Sequence, residues 1–265
     1  MNTIKMTGLA CSLISGLFFL SACGQEKKPI ENNIVKGDGK GFAVLELFTS
    51  EGCSSCPPAD KLLAKIQQET KGKAIYILAY HVDYWNRLGW KDTFSNADYS
   101  KRQKQYGNWL NAQIYTPQLV VNGKSEFVGS DEQAIRGAIA SQLAVHPAAT
   151  LDLHAVQQGD ALKVHYQTTN AVKDSYLLIA IIQKNAQSNV EHGENAGHTL
   201  SHVQIVRELK TEPLNESGSG STEVVLPKGF NTEGWEVIGL LQDPGNGEIA
   251  GVAKADLNEN GIVKK

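Results

Sequence analysis

Cys53 and Cys56 stand two residues apart in FTSEGCSSCPPAD, Phe48 to Asp60, and two prolines follow them at once. Such a pair can exchange electrons: one sulfur attacks a disulfide as a thiolate and the other resolves the mixed disulfide that forms. A disulfide closing so short a loop would add only about 2 kcal/mol of stability, so stapling is a weak reason for the spacing. Zinc would need four ligands, and no second cysteine pair follows. A copper or zinc module built on Cys53, Cys56 and His81 is therefore the alternative, and a non-catalytic binding or assembly protein with an inert pair is the third reading.

The prolines constrain the geometry. Neither Pro57 nor Pro58 has an N–H, so both suit the first turn of a helix, and Pro57 disfavours helical backbone at Cys56. A helix is expected to start at about Pro57. Cys53 then lies just beyond its positive end, which favours the thiolate, while Glu51 and Asp60 oppose it. Cys53 is expected to be the attacking, more exposed sulfur and Cys56 the buried resolver.

The elements that must hold this pair follow from periodicity. FAVLELF and AIYILAY are strand-like apolar runs, and ADKLLAKIQQE between them places Leu62, Leu63 and Ile66 at helical spacing. SNADYSKRQKQYGNWL reads as a helix capped by Ser95 or Asn96. QLVVNG and SEFVG form a hairpin turning at Asn122 and Gly123, and SDEQAIRGAIASQLA is a closing helix. The order β, α, β, α, β, β, α is that of an α/β thioredoxin-like domain, a mixed sheet flanked by helices, assigned to residues 41–147. Seven alternating runs between residues 148 and 265 predict an all-β immunoglobulin-like sandwich domain without an inter-sheet disulfide, with LNESGSGST as a loop.

Two further stretches belong near the cysteines. In YTPQLVVNG, Thr116-Pro117 opens a strand, where a proline breaks no ladder bond and is a candidate for a cis peptide. Given the thioredoxin-like order, Pro117 should face the cysteines and Thr116 should present its backbone to a substrate. HVDYWNRLGWKDTF leaves the carboxyl end of the second strand, where crevices of α/β sheets lie. Tyr84, Trp85 and Trp90 would line an apolar platform or plug the gap above the sheet, and His81 or Asp83 would handle protons. His192, His198 and His202 in the second half do not form an HExxH motif, because Thr199 stands where the glutamate would be. They read as surface or core histidines.

VLELFTSEGCSSCPPADKLL, YHVDYWNRLGWKDTFSN, YTPQLVVNG and EFVGSD resemble the signature blocks of the bacterial secreted family known as domain of unknown function 1223, and HGENAGHTLSHVQIVREL resembles its second block. The resemblance implies a thioredoxin-like fold with an appended β-domain and carries no settled activity. Relative to thioredoxins, the chain lacks a Trp before the first cysteine, has Ser54-Ser55 in place of Gly-Pro, and adds Pro57-Pro58.

Residues 1–22 read as a secretory signal: Lys5 precedes an apolar stretch too short to span a bilayer comfortably. LSAC, Leu20 to Cys23, resembles the lipobox of bacterial lipoproteins, so Cys23 is the expected lipidation site and membrane anchor. Residues 23–40 would be a flexible tether. The chain should then sit in the bacterial cell envelope, facing the periplasm or the cell surface. Its 41% hydrophobic and 20% charged composition is that of a globular protein, and a net charge of −3 with no basic cluster argues against nucleic acid. No cofactor is implied; the expected partners are protein thiols or disulfides, or a small reducible ligand.

Overall fold

The structure is a computed structural model that describes Met1 and residues 41–258. The expected signal segment, Cys23 and the tether lie outside the described residues. Residues 41–258 fall in one compact unit.

The chain runs β1 (Ala43–Thr49), α1 (Pro57–Glu69), β2 (Ile75–His81), α2 (Ala97–Trp109), β3 (Gln118–Val121), β4 (Ser125–Val128) and α3 (Glu132–Leu143). Strands β5 (Thr150–Gln158), β6 (Ala161–Thr169), β7 (Tyr176–Asn189), β8 (Thr199–Pro213), β9 (Ser219–Val225), β10 (Trp235–Gln242), β11 (Ile249–Lys254) and β12 (Asp256–Asn258) follow. Local chemistry sets the boundaries. α1 begins at the two prolines, the Asn96 side chain accepts from the Asp98 N–H at the start of α2, and Asp131 accepts from Ala134 at the start of α3. Asn122 and Gly123 both take positive φ, at 49° and 68°, as a tight β3–β4 hairpin requires.

A mixed eight-stranded sheet in the order β11-β10-β7-β8-β2-β1-β3-β4 is joined by a four-stranded sheet, β12-β5-β6-β9. β1 pairs in parallel with β2 and antiparallel with β3, and β4 extends β3 antiparallel. The expected domain boundary after residue 147 does not divide this sheet: β8 joins β2 in parallel at Ala79 and Ile205, so four later strands extend the first sheet rather than closing a sandwich of their own. The physical reason is visible in β7, whose Leu177–Ile182 run is buried on both faces. Its odd-numbered residues, Leu177, Ile179 and Ile181, pack against β5, β6 and β9, and its even-numbered ones, Leu178, Ala180 and Ile182, pack with Phe48, Tyr80 and α2. Only a strand covered from both sides buries both sets. The predicted loop LNESGSGST is also corrected in part, since Ser219–Thr222 pair with β6 as the start of β9.

A third core lies between α1, α3 and the opposite face of β1 and β2, through Leu45, Leu47, Leu63, Ile66 and Ile135. One buried ion pair ties the early and late strands together. Arg102 of α2 donates to both oxygens of Glu46 on β1, at 2.6 and 3.0 Å, and to the Gln242 side chain of β10 at 3.0 Å. Tyr106 donates to the same glutamate.

Candidate active site

The β1–α1 turn carries the cysteines. Cys53 N–H donates to Ser50 C=O at 3.2 Å, Cys56 N–H to Cys53 C=O at 3.2 Å, and the Cys56 carbonyl accepts from Ala59 and Asp60. These bonds hold Cys56 in helical backbone, φ −77° and ψ −39°, as the cap of α1. The bias of Pro57 against helical backbone at Cys56 is thus overridden by the turn. Both cysteines are free thiols. The expectation that Cys53 is the more exposed of the two is also corrected: each has 0% relative exposure. Residues about 140 positions away bond to this turn, the Asn195 amide donating to the Cys53 carbonyl.

The Thr116-Pro117 peptide is cis, and it lies against the cysteines: Cys53 Sγ is 3.8 Å from the Thr116 carbonyl oxygen. The Cys53 pKa is lowered to about 6, mainly because the Cys56 thiol hydrogen-bonds its sulfur; burial opposes this, and the Ser55 and Thr116 side chains assist. Ser55 Oγ is 3.5 Å from the sulfur. Trp85 Nε1–H donates to Thr116 Oγ1 at 2.8 Å, which occupies an acceptor position of that hydroxyl and leaves its proton free for the sulfur. Cys56 has the opposite fate, its pKa pushed up by burial and by the neighbouring Cys53. One sulfur is therefore poised as a thiolate at neutral pH and the other is held as a thiol.

Behind the pair lies a buried cluster of acids and histidines. Burial drives the Asp60 pKa up against the pull of His202 and His81; Thr49 Oγ1 lies 3.5 Å from its carboxylate and His202 Nδ1 3.7 Å. Its charge acts on Cys56. The Glu51 carboxylate accepts from Trp90 Nε1 at 2.7 Å and from the Ser188 hydroxyl, with His202 Nε2 at 3.5 Å. Burial works against ionising Glu51, but His202, Ser188 and Trp90 hold its pKa below the ordinary value. Asp92 accepts from the Glu51 N–H at 2.8 Å and meets His81 Nδ1 at 2.7 Å. Burial opposes the charges of this pair, yet they sustain one another: Asp92 is lowered and His81 raised. The rings of His81 and His202 meet edge to face at 4.9 Å, and His81 Nε2 and His202 Nδ1 have no hydrogen-bond partner.

The sequence-predicted residues thus divide. Cys53, Cys56, Thr116, Pro117 and Trp85 come together. Trp90 reaches Glu51 rather than the sulfurs, and Tyr84 turns its hydroxyl to Gln103 at 3.2 Å. Asp83 accepts from Ser100 Oγ at 2.5 Å. His81 is buried and held by Asp92. His192 and His198 are exposed, whereas His202, read as an ordinary histidine, is buried on β8 within the cluster. Ser188, Asn195 and His202 are site residues that the sequence pattern does not single out; the signal available was the HGENAGHTLSH block itself, dense in polar residues, at the entry to β8. Among the described residues, no group of three or more His, Cys, Asp or Glu is arranged to hold a metal ion.

Residues 44–242 match a protein family described as "Protein of unknown function (DUF1223)". A crystal structure of a protein from Agrobacterium tumefaciens is 24% identical with a TM-score of 0.64, covering 85% of this chain and 98% of its own, and it shares the fold. A DUF3823 family protein from Bacteroides ovatus is 10% identical over 42% of this chain and 57% of its own, with a TM-score of 0.28, too low to carry an argument. No curated protein matches the chain.

Proposed function

The chain belongs to the DUF1223 family, and from that starting point we propose that it is a thiol–disulfide oxidoreductase with Cys53 as nucleophile and Cys56 as resolver. The observation that carries this reading is the pair of free thiols in the β1–α1 turn with Cys53 Sγ 3.8 Å from the carbonyl oxygen of Thr116, the residue before cis Pro117; the lowered Cys53 pKa agrees with it. In the reaction, the Cys53 thiolate attacks one sulfur of a substrate disulfide, and the other sulfur leaves as a thiolate that takes a proton from water. The Cys56 sulfur then attacks Cys53 Sγ, its proton passing to the departing substrate thiolate, which leaves as a thiol. That closes the Cys53–Cys56 disulfide. Two electrons pass from the dithiol to the substrate; run backwards, the same steps oxidise a dithiol.

The order β2-β1-β3-β4, with β1 and β2 parallel and the helices between, supports a thioredoxin-like reading of the first part. The facing of β5, β6 and β9 against β7 and β10 supports an immunoglobulin-like reading of the remainder, fused to the first sheet rather than tethered to it. Export and lipid anchoring at Cys23 would place the exchange in the cell envelope, where disulfides persist.

The test is exchange with glutathione disulfide by purified reduced protein, followed by mass spectrometry. A Cys53–Cys56 disulfide that forms in the wild type and is replaced by a glutathione adduct on Cys53 in Cys56→Ala supports the proposal. Absence of any adduct or disulfide at these two positions refutes it.

A further inference from the structure

Thiol exchange leaves unused the segment joining β7 to β8, yet this segment is bonded to the backbone of the cysteine turn. Asn195 is the one buried residue between Glu191 and Thr199. Its Nδ2 donates to Glu51 C=O at 2.8 Å and to Cys53 C=O at 2.9 Å, while Glu194 Oε2 accepts from Ser54 N–H at 2.9 Å. Glycines with positive φ stand at each end, Gly193 at 83° and Gly197 at 81°. A glycine adopts this conformation without strain, so the tip can swing at both ends. Its base is closed separately, by Val190 N–H to His198 C=O at 3.0 Å and Gly197 N–H to Val190 C=O at 2.8 Å. The tip is therefore held on the cysteine turn by polar bonds, without an apolar anchor of its own. Segments that open at low cost have this character: few buried apolar contacts and an exposed backbone.

The groups it engages are backbone groups: two carbonyl acceptors and one N–H donor, all within Glu51–Ser54. An extended polypeptide offers N–H and C=O groups that satisfy such a set. We propose that Gly193–Gly197 is a gate over Cys53, displaced by an extended segment of a polypeptide substrate whose backbone takes over the bonds of Asn195 and Glu194. The substrate class rests on the oxidoreductase reading; the gate does not.

The experiment measures alkylation of Cys53 by iodoacetamide, resolved by peptide mass spectrometry, in the full chain. Asn195→Ala removes two bonds to buried carbonyls and should raise the rate about tenfold. Glu194→Gln, at an exposed position where misfolding is not at issue, should raise it less but in the same direction. The pH midpoint of Cys53 ionisation is followed in parallel and should not move, which separates an opened gate from a damaged site. In a second arm, wild type should reduce a disulfide-linked extended peptide at least about tenfold faster than glutathione disulfide, and Asn195→Ala should narrow that ratio. Unchanged alkylation in both variants overturns the gate. Glutathione disulfide reduced as well as the peptide overturns the substrate class. Faster alkylation in the variants with neither disulfide reduced supports the gate and refutes the oxidoreductase reading.

Discussion

Replacing Cys56 by Ala tests how the site makes a nucleophile. The Cys56 thiol is the first cause of the low Cys53 pKa, about 6, ahead of Ser55 and Thr116. A hydrogen bond to a charged group contributes roughly 1.5–3 kcal/mol, and one pKa unit is about 1.36 kcal/mol, so its loss should raise Cys53 by about one to two units. At pH 7 the thiolate fraction should then fall from about nine-tenths to between about one-half and one-tenth. The assay is ultraviolet thiolate absorbance across pH, which needs no reagent to reach the buried sulfur, with Cys53→Ser subtracted as baseline. A lower pKa also weakens intrinsic nucleophilicity, so alkylation rates would understate the change. A Cys53 midpoint that stays near 6 in Cys56→Ala would refute the reasoning.

The other perturbations act on neighbouring parts. Trp85→Phe removes the donor to Thr116 Oγ1, lets that hydroxyl turn from the sulfur, and should raise the Cys53 midpoint by under about one unit in the same absorbance titration. Arg102→Ala leaves Glu46 as an uncompensated buried charge and should cost about 3–5 kcal/mol in chemical denaturation, while a loss within measurement error would contradict the pairing. Asp92→Asn should change stability at both ends of the pH range. The lowered Asp92 carboxylate contributes fully above the ordinary carboxylate range of about 4 and loses that contribution as pH falls through its folded value. His81, raised by Asp92, has the opposite sign: its contribution is full below about 6.5 and is lost as pH rises through its folded value. Denaturation midpoints of the variant should therefore vary less with pH on both limbs than those of the wild type; parallel curves would argue against the ion pair.

Much of the site's near side was legible because its determinants are local. Pro57-Pro58 set the start of α1, Asn122-Gly123 set the hairpin that follows the Thr116-Pro117 strand entry, and two sulfurs in one turn need no distant partner to be recognised. The segment bonded to the cysteine turn and the far wall were not legible, because they depend on one parallel contact, Ala79 with Ile205, that brings β8 beside β2. That contact puts His202 within reach of Glu51 and Asp60, and carries Asn195 onto Cys53, across about 140 residues of chain. Leu177–Ile182 held the missing clue: a continuous apolar run marks a strand buried on both faces, whereas the alternation of β5 marks one buried on a single face. Treating both as alternating strands led to a separate sandwich where the sheet is continuous. The same continuation brings Asn195 to the Cys53 carbonyl.

The most direct test of the central claim is equilibration of the purified protein in glutathione redox buffers, with the Cys53–Cys56 disulfide quantified by mass spectrometry. The account expects one two-electron transition between about −120 and −270 mV, the span of known exchange catalysts. A pair that stays reduced throughout, or that only accumulates single glutathione adducts, would contradict it.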